Sequence, residues 1–310
     1  MADELSFFLW SVPESGFQWV KTETVSKQSG LFLSDGVASG QHYMRRTYNP
    51  LLQSGLFRDF SETQPTEKGI LGFANRYGSL GGTAAACIAV QEGLGSGELF
   101  GLWVSEIVTM RELVDLRDRT RGQVATQLAE RIKWDGSRGV RYEGPRVSGA
   151  RPPWDGSSAW IASENHNPEM LSRFPPGDLV GPARSFLQGR INRKLAGHGV
   201  TVRLLWDPNY TQLGLHVVPT SLIGCLWLQF AKAVDGDKDY RRCPECRKWF
   251  DVSPHESRTD RVFCSPSCKA AAHRKKIAEA RRLFAQRVPI RQIAKKLDTQ
   301  PETVKGWVKT

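Results

Sequence analysis

The sequence predicts an α+β protein in which a large domain of mixed helices and strands precedes a small cysteine-containing module and a short helical tail. Three observations support this prediction. Segments with apolar residues at alternate positions are interspersed with segments at three- and four-residue spacing. Four of the six cysteines lie within the last 70 residues, and the same residues carry the whole excess of positive charge. We therefore divide the chain into residues 1–240, 241–276 and 277–310.

Length and composition indicate a globular protein. The chain has 310 residues, of which 40% are hydrophobic and 24% are charged, as is usual for folded domains. The longest apolar run, Leu222 to Val234, contains Gln229 and Lys232 and is shorter than the about 20 residues that a membrane-spanning helix needs. Asp3 and Glu4 stand where a secretory signal would carry positive charge. The sequence thus predicts a cytoplasmic protein with no membrane partner.

Residues 1–240 are predicted to contain both strands and helices. Strands are expected at 5–10, 17–25, 200–206 and 213–218, and helices at 66–77, 99–116, 123–132, 183–196 and 222–234. Ser221 precedes the last helix as a good N-cap residue. The buried face of that helix is expected to consist of Leu222, Ile223, Leu226, Trp227 and Phe230.

A proline-rich segment, residues 143–183, interrupts this pattern with seven prolines. A loop of this length is unusual inside a compact domain, and it predicts either a mobile lid or the join between two lobes. The role of residues 1–240 is left open between sensing a small-molecule ligand and binding a protein partner.

Four cysteines near the C-terminus form a predicted metal site. Two residues separate Cys243 from Cys246, three separate Cys264 from Cys268, and seventeen lie between the pairs. Zn²⁺ prefers four soft ligands in a tetrahedron, and a two-residue gap lets a tight turn point both thiolates inward. The second pair is expected at the N-terminus of a helix beginning near Pro266, where the helix dipole stabilises negative charge. This layout predicts a treble-clef-like zinc finger with a structural Zn²⁺.

The alternatives for these cysteines are a disulfide and a redox-active pair. A reducing compartment disfavours a disulfide, and four protein ligands favour structural over catalytic zinc because they leave no open position on the metal. His255 and His273 are left out of the ligand set. His273 lies five residues after Cys268, about 140° around a helix, so the two side chains would not share a face. Cys87 and Cys225 stand in apolar surroundings and are predicted to be buried core residues.

The cysteine module resembles a known family. Residues 243–251, 263–265 and 268–276 read CPECRKWFD, FCS and CKAAAHRKK, and are similar to the bacterial CGNR zinc-finger proteins. Where that family has Cys-Gly-Asn-Arg, this sequence has Cys268-Lys269-Ala270-Ala271. The resemblance implies a finger that follows a larger N-terminal domain and binds DNA.

Positive charge is concentrated in the tail. Residues 241–310 contain 18 Lys or Arg and 7 Asp or Glu, a net of +11 that equals the charge of the whole chain. Such asymmetry predicts a polyanionic partner, with a solvated basic surface as the alternative. Phosphate contacts are assigned to cations on a predicted helix from Pro266 to Gln286, namely Lys269, Arg274, Lys275, Lys276, Arg281 and Arg282.

The end of the chain resembles a helix-turn-helix of the trihelical kind. Helices are predicted over 288–297 and 301–308, and residues 298–300 form the turn. The apolar residues Ile293, Leu297, Val304 and Trp307 are expected to bury against Leu283 and Phe284. In this geometry the second helix enters the major groove, so Thr303 and Lys305 are predicted to read the bases of double-stranded DNA. A helical cap or a dimerisation element is the alternative.

These observations favour a zinc-containing DNA-binding protein, with transcriptional regulation as the expected purpose. One alternative is a nucleic-acid-processing enzyme with its active site in residues 1–240. Arg193 and His198 are its candidate catalytic residues, because their spacing occurs in some RNA-cleaving toxins and the pair could stabilise a phosphorane and move a proton. A protein-interaction module is the other alternative. A homodimer is kept open, since helix-turn-helix proteins often bind as dimers.

Overall fold

A computed structural model describes residues 8–27, 29–37, 44–90, 93–122, 125–144, 158–206, 211–253 and 260–309. The chain divides into two compact units, residues 1–237 and residues 238–310. Both units contain helices and strands, and every described strand ladder is antiparallel, which confirms the predicted α+β class. No helix in these ranges is long and apolar enough to cross a bilayer.

The strands of the first unit form several small sheets. In chain order they are β1 (Trp10–Pro13), β2 (Gln18–Glu23), β3 (Ser29–Ser34), β4 (Arg45–Tyr48), β5 (Ala85–Val90), β6 (Gly93–Leu99), β7 (Ile132–Trp134), β8 (Gly139–Tyr142), β9 (Ala159–Ser163), β10 (Val200–Trp206) and β11 (Leu213–Pro219). One sheet has the order β2-β3-β6-β5 and another the order β7-β8-β9. β1 pairs with β4, and β10 pairs with β11, in two separate two-stranded sheets.

Helices supply the core of the first unit. They are α1 (Leu56–Glu62), α2 (Glu67–Tyr77), α3 (Phe100–Arg121), α4 (Ala125–Ala129), α5 (Pro168–Leu171), α6 (Val180–Gly197) and α7 (Leu222–Asp235), with short 3-10 turns at Pro50–Leu52 and Gly82–Ala84. Both α3 and α7 pack on α1 and on α6, while β3 and β6 pack on α3 and β8 and β9 pack on α6. Trp103 of α3 is fully buried against the rings of Phe60 and Phe73. The four helices therefore enclose the main apolar core.

Helix α7 confirms its sequence-based prediction. The Ser221 hydroxyl accepts a hydrogen bond from the backbone N–H of Gly224 at 3.1 Å and so satisfies one of the free N–H groups of the first turn. The side chains predicted for the buried face are all fully buried: Leu222, Ile223, Leu226, Trp227 and Phe230. Three- and four-residue spacing identified this face because tertiary packing follows the same periodicity.

The structure corrects the prediction for one of the two isolated cysteines. Cys225 is buried in α7, as expected, but Cys87 is exposed on β5. The next residue of β5, Ile88, is fully buried on the opposite face of the strand. Because successive side chains of a strand point to opposite faces, apolar neighbours in the sequence did not imply burial of Cys87.

The proline-rich segment is also more regular than predicted. β9, α5 and the start of α6 all lie within residues 143–183, while residues 145–157 lie outside the described ranges. Pro168 occupies the first turn of α5 and Pro182 the first turn of α6, where a missing N–H breaks no helical hydrogen bond. These two prolines begin helices and do not mark a loop.

Two predicted elements near the start and the middle of the first unit have different bounds. The helix expected over 123–132 is only α4, and β7 begins at Ile132. The strand expected over 5–10 is β1, which begins at Trp10; residues 1–7 lie outside the described ranges. Tertiary pairing moved these ends, since β1 is placed by its ladder to β4 and β7 by its ladder to β8.

A buried carboxylate, Glu98, holds the turn before β5. Glu98 is 3% exposed and accepts hydrogen bonds from the backbone N–H groups of Leu80 and Gly81, at 3.0 and 2.6 Å, and from the Trp103 indole at 2.9 Å. Burial outweighs these three donors and raises the pKa of Glu98 to about 7. The folded protein therefore binds a proton at Glu98 more tightly than the unfolded chain does.

Removing the Glu98 charge should change how stability depends on pH. A raised pKa in the folded state stabilises the protein below the ordinary value of 4.5, and this contribution is lost as the pH rises through about 7. The difference in unfolding free energy between wild type and Glu98→Gln should therefore fall between these pH values and level off above them. Urea unfolding at several pH values measures it. The exposed Glu164→Gln is the control, and a difference that is constant with pH would contradict the prediction.

The second unit is a short hairpin followed by three helices. Its elements are β12 (Tyr240–Arg242), β13 (Trp249–Asp251), α8 (Pro266–Ala285), α9 (Ile290–Lys296) and α10 (Pro301–Lys309). It has two small apolar clusters. One contains Cys243, Phe250 and Val252, and the other joins α8, α9 and α10 around Leu283 and Val304. Neither cluster is large, so the unit has little apolar burial with which to offset the entropy of folding.

Candidate metal centre and basic surface

Four cysteine side chains meet in the second unit. Cys243 and Cys246 lie in the turn between β12 and β13, Cys264 precedes α8, and Cys268 lies in the first turn of α8. Their sulfur atoms all lie within 4.8 Å of one another. The Sγ atom of Cys264 is 3.4 Å from that of Cys246 and 3.5 Å from that of Cys268. Cysteines up to 25 positions apart along the chain, Cys243 and Cys268, thus converge on one point.

The β12–β13 hairpin positions the first pair. The backbone N–H of Cys243 donates to the carbonyl of Lys248 at 2.9 Å, and the N–H of Arg247 donates back to the carbonyl of Cys243 at 2.9 Å. Arg247 has a φ of 63°, in the left-handed region that favours glycine. A non-glycine residue in this region costs roughly 1 kcal/mol, so the surrounding contacts must hold the turn in place.

The N-terminus of α8 positions the second pair. The Ser265 hydroxyl accepts a hydrogen bond from the backbone N–H of Cys268 at 3.2 Å, and Pro266 occupies the first helical position. The Cys268 sulfur therefore lies beside the N-terminus of a 20-residue helix, where free N–H groups carry partial positive charge.

The thiols influence one another strongly. Burial opposes ionisation of Cys243, but N–H groups of Cys246, Cys264 and Glu245 outweigh it and lower the pKa of Cys243 to about 6. Burial and the neighbouring thiols raise the pKa of Cys264 to about 12. Four thiolates this close repel one another, so all four can ionise together only around a cation.

The geometry fits a metal ion better than a disulfide. Sulfurs bonded to each other would lie about 2.05 Å apart. Sulfurs bound tetrahedrally to one Zn²⁺ at about 2.3 Å would lie about 3.8 Å apart, close to the observed separations. The four cysteines can therefore hold a metal ion with no open coordination position. His273 lies outside this group, with its ring 5.5 Å from that of Trp307, and His255 lies outside the described residues.

The cations predicted for nucleic-acid binding all lie on the surface of the second unit. Those on α8 are Lys269, Arg274, Lys275, Lys276, Arg281 and Arg282, and all six are exposed, as are Thr303 and Lys305 on α10. Three of the six already have protein partners. Lys275 pairs with Glu245, Arg282 pairs with Glu279, and Arg281 donates to the carbonyl of Trp307. Among the described residues, no carboxylate lies within ion-pair distance of Lys269, Arg274 or Lys276.

The last three helices pack around small residues. Ala280 and Leu283 of α8, Ile293 and Ala294 of α9 and Val304 of α10 are buried together. Leu297 and Trp307 pack on this cluster, as predicted, but Phe284 is 46% exposed and the prediction that it is buried was wrong. Phe284 follows Leu283 by one position, about 100° around the helix, and Leu283 takes the place that faces α9 and α10.

The two candidate catalytic residues have different surroundings. Arg193 is exposed on α6, whereas His198 follows the end of that helix with its side chain only 11% exposed. The His198 Nε2 atom lies 3.3 Å from the carboxylate of Glu106. A nuclease would need both side chains at one substrate phosphate. The surroundings of Arg193 and His198 do not test this requirement, so the nuclease alternative stays a prediction.

Sequence reasoning missed the buried cluster in which His198 takes part. Glu106 of α3 is 8% exposed; its carboxylate lies 2.5 Å from the Lys194 ammonium and accepts a hydrogen bond from the Trp227 indole at 3.0 Å. Burial favours the neutral acid, but the His198 hydrogen bond and the Lys194 charge prevail and lower the pKa of Glu106. A signal was present, since Glu106 falls on the apolar stripe of α3, three residues after Trp103.

The chain is thus a two-unit α+β protein whose smaller unit combines four cysteines that could hold a metal ion with a set of exposed cations. Comparison with protein-family models, with curated proteins and with solved structures finds no match for the chain. The resemblance to CGNR zinc-finger proteins therefore stays a prediction.

Proposed function

We propose that this protein is a zinc-containing nucleic-acid-binding protein that holds duplex DNA through residues 238–310, with transcriptional regulation as its purpose. The observation that carries the proposal is the exposure of all eight predicted contact residues on α8 and α10, next to the four-cysteine site. Because residues 1–240 have a net charge of zero, the excess of positive charge belongs to the second unit alone.

Zinc is the ion that the donor set favours. Four thiolates are soft ligands, a tetrahedral arrangement suits Zn²⁺, and a site closed by four protein ligands is typical of structural zinc. The cytoplasm, a reducing compartment, would keep these thiols available as ligands. A β-hairpin that supplies two ligands and a helix N-terminus that supplies the others support a treble-clef-like finger.

The three C-terminal helices support a helix-turn-helix. Ala294, 2% exposed, lies where α9 crosses its neighbours, and the N–H of Thr299 donates to the Ala294 carbonyl at 3.0 Å to close the turn before α10. Val304 anchors α10 from its buried side. Thr303 and Lys305 stay exposed near the start of α10, the part of a recognition helix that reads base edges in the major groove.

Helix α8 would contribute phosphate contacts. Lys269, Arg274 and Lys276 are favoured over Lys275 and Arg282, because the latter pair with carboxylates and would have to exchange one anion for another. Each phosphate that a cation neutralises releases counterions, which makes binding weaker as salt increases.

Substituting these three cations should weaken DNA binding and its salt dependence together. In full-length protein, the triple variant Lys269→Ala, Arg274→Ala and Lys276→Ala should reduce the slope of log K against log salt by about 2.7, from about 0.9 per phosphate contact. Fluorescence anisotropy on a labelled duplex, measured across a salt series, gives both slopes.

The matched control substitutes three exposed cations of the first unit, Lys21, Arg173 and Arg184, by alanine and should leave the slope unchanged. Equal loss in both triple variants would mean nonspecific attraction to the whole protein. No binding by wild type even at low salt would remove the proposal and leave the basic tail as a solvated or protein-binding surface. Competition by single-stranded RNA distinguishes duplex DNA from RNA as the preferred partner.

A further inference from the structure

The hairpin β10–β11 presents an apolar face to solvent. Three pairs of directly opposite residues share this face: Val202 with Val217, Leu204 with Leu215, and Trp206 with Leu213. Between 47% and 76% of each of these six side chains is exposed. We name these six residues the hairpin face.

The exposed hairpin face is the more apolar of the two faces of the hairpin. Both strands pack against helices of the core, since β10 contacts α6 and α7 and β11 contacts α7. The opposite face carries Thr201, Arg203 and His216 besides Leu205 and Val218, whereas all six side chains of the hairpin face are apolar. A shift of the strand by one residue would turn the apolar set around, but seven consecutive residue pairs hold the register.

The size of the hairpin face is large for a surface that stays in water. Side chains of this size, exposed to these fractions, offer on the order of 100 Å² each, so the face amounts to roughly 600 Å². Two such faces would bury about 1,200 Å², which reaches the lower end of specific protein–protein interfaces.

We infer that the hairpin face is a dimer interface that binds the same face of a second copy of this chain. None of its six side chains is charged, so the face offers no electrostatic feature by which an acidic or a basic partner would be selected. A ladder of Val–Val, Leu–Leu and Trp–Leu pairs can bury its apolar side chains against the same ladder of a second copy, because a twofold symmetric interface brings identical patches together. This inference stands on the first unit alone and does not rest on nucleic-acid binding.

The oligomeric state of the full-length protein tests the inference. Sedimentation equilibrium of wild type over a range of concentrations should give a mass of twice 34.7 kDa at high concentration. The double variant Leu204→Glu and Leu215→Glu should stay monomeric, with the dimer Kd raised by about 100-fold or more, because dimerisation would bury unpaired charges. Leu204→Thr with Leu215→Thr introduces β-branched residues that favour strands, and it should give the same direction of change if the charged variant fails to fold.

Thr201→Glu places one such charge on the opposite face of β10 and is the control, which should dimerise like wild type. Three outcomes would overturn the inference: a monomeric wild type at about 100 μM, a dimer that survives the double variant, or a dimer lost equally in the control. Monomeric wild type that floats with neutral phosphatidylcholine vesicles, while the double variant does not, would assign the face to a lipid surface instead.

Discussion

Removing a metal ion from the proposed zinc site should unfold the part of residues 238–310 around the four cysteines while the first unit remains folded. Among the described residues, the apolar cluster around the site has Cys243, Phe250 and Val252 as its buried members, with Phe263 and two further cysteines packed on it. So small a cluster cannot offset the entropy of ordering its loops, and metal binding supplies about 10–16 kcal/mol in comparable zinc sites. A bound metal ion would therefore be the main source of stability for this hairpin and for the start of α8.

The measurement combines metal content with spectroscopy. Wild type should bind one equivalent of Zn²⁺, and Co²⁺ substitution should give the visible absorption of a tetrahedral thiolate site. Cys243→Ser should lose both, because Cys243 is the ligand that is fully buried in the cluster. A chelator should have the same effect on wild type, and acid should promote release since protons compete for the thiolates.

The exposed Cys87→Ser is the matched control, because it removes a thiol from the first unit and should leave metal content and spectrum unchanged. If Cys243→Ser retains a full equivalent of zinc and the wild-type helix signal, the four-cysteine site does not hold a structural ion. If metal is lost but DNA binding persists at the same salt, the folded finger is not the binding element.

Replacing Glu106 by alanine should lower the unfolding free energy by about 3–5 kcal/mol, the cost of breaking a buried ion pair from one side. The substitution leaves the Lys194 ammonium, which is 19% exposed, without its carboxylate and the fully buried Trp227 indole without its acceptor. Because these groups come from α3, α6 and α7, the substitution should weaken the packing of these three helices on one another.

The Glu106 cluster also predicts a direction with pH. The pKa of Glu106 lies below its ordinary value of 4.5, so its contribution is present above that pH and is lost as the pH falls through the folded-state pKa. Wild type should therefore lose stability on acidification more steeply than Glu106→Ala. Denaturant unfolding at neutral and acidic pH measures both effects.

Glu130→Ala is the matched control for Glu106→Ala. Glu130 pairs with Arg119 at 2.9 Å but is 66% exposed, so its loss should cost no more than about 1 kcal/mol. Equal destabilisation by the two variants would show that burial of the Glu106 cluster contributes nothing beyond a surface ion pair.

Much of the helical structure could be predicted from the sequence because its causes are local. Helix α2 and helix α7 begin beside the hydroxyl caps of Thr66 and Ser221, and the apolar spacing of α7 identified its buried face. The cysteine spacing predicted that four thiols would come together, since the ligand geometry of a metal constrains short gaps in the chain. Periodicity did not predict the exposure of Cys87 and Phe284, because each lies one position away from the residue that faces the core.

Sequence patterns were enough to predict the α+β class, the main helices and the four-cysteine group, because propensity, capping and ligand spacing act within a few residues. The contact between Glu106 and Trp227, 121 residues away, and the outward direction of the apolar residues of β10 and β11 follow from tertiary packing. These features depend on which faces of elements far apart in the sequence pack against each other in the folded chain. No local pattern encodes that choice, since the same alternation of side chains describes a strand facing inward or outward.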